Sequence, residues 1–100
     1  MKRSRRRIDW LFYRIYQILD SQDWDFCLKK MRKYRGLNDV DFTIYIDPRE
    51  DIAFTIIHEC LHSIYEEASE RRINFLTDQL MRQMTNRQYK NLLKKFIARL

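Results

Sequence analysis

The stretch Thr55-Ile56-Ile57-His58-Glu59-Cys60-Leu61-His62-Ser63 constrains the fold more than any other, because it sets both histidines of the chain in an H-E-x-x-H pattern. On a helix, residues four apart share a face, so His58 and His62 can offer two imidazoles to a single ion with Glu59 beside them. Two neutral imidazoles and an acid are the donors and base of a hydrolytic zinc centre, where three protein ligands leave one position for water. The competing reading of the same residues is a helix carrying two solvated or core histidines. Phe54, Ile57, Leu61 and Ile64 make an apolar stripe along this helix and leave both histidines on its flank. Cys60 lies well around the helix from them and reads as buried core.

A third ligand has to come from an acid, since the chain has no third histidine. Glu66 shares the histidine face but lies about 12 Å along a straight helix from His58. Ala68-Ser69-Glu70 looks like a bend in which Ser69 caps a new helix and Glu70 occupies its first turn. Glu70 is therefore the preferred ligand and Glu67 the alternative, while Glu66 reads as a surface charge. Asn74 follows Glu70 by one turn and could serve as an outer partner for a histidine ring. Tyr65 is a candidate for oxyanion stabilisation, weighed against an ordinary half-buried tyrosine.

The scaffold around this motif has 100 residues, 45% of them apolar, enough for one domain with a modest core; a single Gly and a single Pro favour helix. Cys27 and Cys60 form no CxxC pair, which suits a reducing compartment and makes a cytoplasmic location the expectation. Of the net charge of +6, much lies in Lys2, Arg3, Arg5, Arg6 and Arg7. That run could touch nucleic acid or acidic lipid, but no interleaved aromatic and basic pattern follows it. Residues 1–7 are accordingly read as a flexible, solvated terminus. Ile8, Leu11, Phe12, Ile15, Ile18 and Leu19 recur at helical spacing over residues 5–20, and Asp9 and Arg14 make this a poor secretion signal. No segment is long and apolar enough to span a bilayer.

Alternation of Trp24, Phe26 and Leu28 with Asp25 and Cys27 suggests a half-buried strand, and Gly36-Leu37-Asn38-Asp39 reads as a turn. Phe42, Ile44 and Ile46 alternate with Thr43 and Tyr45 in the clearest strand signal, expected at the edge of a sheet. Asp47-Pro48-Arg49-Glu50 has the form of a helix start with Asp47 as N-cap. Near the end, Thr85-Asn86-Arg87-Gln88 is a capping box, followed by a stripe of Tyr89, Leu92, Leu93, Phe96, Ile97 and Leu100. Lys90, Lys94, Lys95 and Arg99 then form a solvated basic face. The expected fold class is α+β: a single mainly helical domain with a small sheet of two or three strands packed on the motif helix.

His58-Glu59-x-x-His62 followed by Glu70-x-x-x-Asn74 resembles the gluzincin branch of the zincin metallopeptidases. With the preceding strand and the Thr55-Ile56-Ile57 lead-in, residues 37–82 are similar to the small single-domain zincins of phages and mobile elements and to archaeal minigluzincins. The resemblance implies a zinc metalloendopeptidase in which Glu59 is general base and acid, and His58, His62 and Glu70 hold the metal. It places Asn74 where many gluzincins have an aspartate bonded to a histidine. Cys60, the short spacing from His62 to Glu70 and Asn74 itself depart from the family pattern. The expected partner is a protein or peptide added as an extra strand beside residues 42–46. The alternative is a non-catalytic module that holds nucleic acid or a protein through its basic surface.

Overall fold

In a computed structural model of the chain, the described residues are 2–21, 25–28, 36–38, 43–46 and 51–99. Four helices dominate: α1 (Lys2–Asp20), α2 (Ile52–Ile64), α3 (Glu70–Gln83) and α4 (Asn86–Ile97). Three short extended segments, β1 (Asp25–Leu28), β2 (Gly36–Asn38) and β3 (Thr43–Ile46), pair beside them. The α+β expectation is corrected accordingly to a small, bundle-like helical domain. Among the residues whose burial is described, the apolar core is formed by the helices together with Phe26 of β1.

α1 forms because Ile8, Leu11, Phe12, Ile15 and Leu19 fall on one face, and each of them is at most 1% exposed. The helix runs from Lys2, and Arg5 anchors it. The Arg5 guanidinium donates to Asp9 Oδ1 at 2.7 and 3.0 Å, to the Gln83 carbonyl at 2.6 Å and to Gln88 Oε1 at 2.8 Å. Gln88 Nε2 in turn donates to Asp9 at 2.9 Å. The Arg5 hydrogen bond, opposed by slight burial and aided by Gln88, holds the Asp9 carboxyl below its ordinary value. These contacts tie α1 to the α3–α4 junction.

α2 is the central element and touches all three other helices as well as β2 and β3. Its Ile56, Ile57, Cys60 and Leu61 are fully buried, each large aliphatic contributing about 1.5–3 kcal/mol relative to exposure. The helix starts later than expected. Asp51, not Asp47, is the N-cap, and its carboxylate accepts from Phe54 N at 3.0 Å. Residues 47–50 lie outside the described residues.

In the sheet β3 is the middle strand, parallel to β1 and antiparallel to β2. Two expectations are corrected here. Gly36–Asn38 is a strand, not a turn, with Leu37 opposite Tyr45, and Thr43–Ile46 is not an edge, while Asp39 and Phe42 lie outside the described residues. Since both sides of β3 already pair, an extended peptide has no free ladder there to join.

α4 opens on the expected capping box: Thr85 Oγ1 accepts from Gln88 N at 3.1 Å, and Gln88 Oε1 accepts from Thr85 N at 2.9 Å. Of its predicted stripe, Leu92 and Phe96 are buried, whereas Tyr89 and Ile97 are exposed. The basic face is also not simply solvated. Lys95 pairs with Asp20 at 2.7 Å and lies over the Tyr16 ring. Arg99 donates to the carbonyls of Leu19 and Ser21 and covers the Phe26 ring. Phe26 meets Phe96 edge-on at 6.0 Å, fastening β1 to α4.

Candidate metal centre

The helix over the motif stretch places His58 and His62 one turn apart, and their Nε2 atoms lie 3.3 Å from each other. Glu70 reaches both rings. Its Oε1 is 2.7 Å from His58 Nε2 and its Oε2 is 2.9 Å from His62 Nε2. Glu70 is able to do so because α2 ends at Ile64, the chain reverses over residues 65–69, and Ser69 starts α3 by accepting from Arg72 N at 3.2 Å. The bend anticipated at Ala68-Ser69-Glu70 is thus where the sequence suggested, with Glu70 as the first helical residue.

One ligand atom from each of His58, His62 and Glu70 lies within 4.8 Å of the others, close enough for the three to hold one metal ion. The spacing can be compared with an ion's requirements. Bonds of about 2.0–2.1 Å to a tetrahedral centre put donor atoms about 3.3 Å apart. The two imidazole nitrogens already have that separation. The two carboxylate distances are shorter by roughly half an ångström, and Glu70, with its side chain 63% exposed, has room to withdraw by that much. His58 and His62 are far less exposed, so the two nitrogens form the fixed part of the site and the carboxylate the adjustable part. The same short contacts also describe a hydrogen-bonded cluster in which both imidazoles donate to one carboxylate.

Glu59 is buried at 5% exposure, with Oε2 4.0 Å from His58 Nε2. Burial, reinforced by the negative charge of Glu70, pushes its carboxyl up to about 7. A carboxyl in that range is suited to accepting and returning a proton near neutrality. Cys60, between the motif residues, is fully buried in the core. Burial, with the Glu59 charge, drives its thiol well above the ordinary range, so it is not a thiolate ligand.

The other candidates stand apart. Glu66 and Glu67 are exposed in the turn between α2 and α3 and are not in the cluster. Asn74 is exposed on α3, one turn after Glu70. Tyr65 is the C-cap of α2 and packs against the core, as an ordinary half-buried tyrosine does. Phe54 was assigned only to the apolar stripe, yet its ring stacks on His58 at 6.0 Å with an interplanar angle of 19°. The signal for this was present in the spacing, since Phe54 precedes His58 by four residues.

Neither protein-family models, nor curated proteins, nor solved structures give a match to this chain.

Proposed function

We propose that the chain is a zinc-dependent metallopeptidase that hydrolyses peptide bonds in a protein or peptide substrate. The observation that supports it is the convergence of His58 Nε2, His62 Nε2 and a Glu70 oxygen beside the buried carboxyl of Glu59. The three converging groups would hold zinc, an ion that takes nitrogen and oxygen donors in this number and keeps one position open. When bound, zinc supplies Lewis-acid polarisation of a carbonyl oxygen and makes water a nucleophile near neutral pH.

The protein's own part falls to five side chains. Glu59 takes the proton of the attacking water on a carboxylate oxygen, then donates it to the departing amine nitrogen. Burial keeps that proton within the site between the two steps. His58 and His62 would hold the metal, and Phe54, stacked on the His58 ring, would help to orient it. Glu70 closes the site from the neighbouring helix.

Metal analysis of the purified protein should find stoichiometric zinc, lost in His58→Ala. Glu59→Gln should keep the metal yet leave an unstructured protein uncleaved, a loss of at least about a hundredfold for a missing proton-transfer group. Equal cleavage by this variant and the parent would end the peptidase reading. A parent that takes up no zinc would leave only the hydrogen-bonded cluster.

A further inference from the structure

α1 has an outer face that the core does not use. Arg6, Arg7, Trp10, Tyr13, Arg14 and Gln17 are all exposed on it, with Trp10 at 49% and Tyr13 at 58%. At 100° per residue, Trp10 is the centre of this face: Arg6 and Arg7 lie one turn before it, and Tyr13 and Arg14 one turn after it. The linear sequence hides this interleaving of aromatic and basic side chains, which appears only when residues are grouped by turn.

The charge on this face is of one sign. Asp9 is turned aside and held by Arg5 and Gln88, and Asp20 is taken by Lys95. Neither Arg6 nor Arg7 forms an ion pair among the described residues, and Arg14 bonds only the neutral Gln17 side chain, at 3.0 Å. Two exposed aromatic rings among three guanidinium groups form a stacking platform beside a track for phosphates, the combination that holds single-stranded nucleic acid. A membrane surface fits less well, because Ile8, Leu11, Ile15 and Leu19 are buried and the half-buried Ile18 packs against the core, which leaves no fully exposed aliphatic residue among those described on α1 to enter lipid.

We infer that the outer face of α1, centred on Trp10, binds single-stranded nucleic acid, with bases stacked on Trp10 and Tyr13 and phosphates paired to Arg6, Arg7 and Arg14. This surface is separate from the metal centre on α2 and α3 and does not depend on it. Base stacking makes the binding tolerant of sequence.

The test is fluorescence anisotropy of the 100-residue chain with a labelled oligothymidine of about a dozen nucleotides at low salt. Saturable binding should weaken with salt at a log–log slope of roughly −2, as expected when about three phosphates of a single strand are paired. Trp10→Ala combined with Tyr13→Ala should weaken binding at least about tenfold. Arg6→Glu with Arg14→Glu should do so too, while Lys90→Glu on α4 should not. All of these side chains are exposed, and circular dichroism confirms that each variant keeps its helix content. The inference is overturned if the oligothymidine does not bind, if the aromatic double variant binds as tightly as the parent, or if a duplex of equal length competes better than the single strand. Binding to anionic phospholipid vesicles through these same residues, without binding to the oligothymidine, overturns it as well and assigns the face to a lipid surface.

Discussion

Glu59 is a buried acid whose ionisation carries a cost in stability. In the metal-free protein its carboxyl is buried and held up to about 7, first by desolvation and then by the charge of Glu70. For an acid raised in this way, the folded state is unpenalised below the ordinary carboxylate range and loses stability as pH rises through about 7, where the folded chain must hold a charge that the unfolded chain leaves in water. Glu59→Gln should therefore make the metal-free protein more stable than the parent at pH 8, by on the order of 2 kcal/mol, with the difference vanishing near pH 4. Urea denaturation at the two pH values checks this. A parent as stable as the variant at pH 8 would mean that Glu59 bears no such cost.

Among the elements, α3 matters most to the site, because its first residue is the third member of the cluster. Ser69 fixes where that helix begins, as Thr85 does for α4. Ser69→Ala and Thr85→Ala should each lower stability by about 1 kcal/mol. Only Ser69→Ala should also weaken zinc binding, since only that cap positions Glu70; competition with a chromophoric chelator distinguishes the two. Equal zinc affinity in both variants would show that the carboxylate finds the histidines without help from its cap. Both caps were legible in the sequence, because a cap is a local device written in three or four neighbouring residues. The start of α2 was not. Asp47 and Asp51 both precede the apolar run, and nearest-neighbour pattern does not choose between them. Sheet order lay beyond reach for a different reason. Which strand becomes the middle one depends on contacts between segments far apart in sequence, and periodicity inside a segment carries none of that information. The outer face of α1 was missed because arginines and aromatics adjacent on a helix surface are three or four positions apart in the chain.

At the scale of the whole molecule, α2 holds both the core and the candidate chemistry, so the two cannot loosen independently. Its inner side meets α1, α3 and α4, and its flank carries His58 and His62. The compensation for such crowding is that the core was readable: Ile8, Leu11, Phe12 and Ile15 on α1, Ile57 and Leu61 on α2, and Ile73, Leu76 and Leu80 on α3 all follow the helical periodicity and are all buried. Cys60 makes the behaviour of this core measurable. Enclosed on every side at 0% exposure, its sulfur is out of reach of an alkylating reagent until the packing around α2 gives way. In native buffer, iodoacetamide should modify Cys60 at a rate set by the population of opened molecules, slower again once zinc is added, and mass spectrometry of the peptide that contains it can follow the reaction. Modification at the pace of a small free thiol would instead reveal that α2 breathes alone. The thiol between the two histidines thus serves as a clock for the opening of the entire domain.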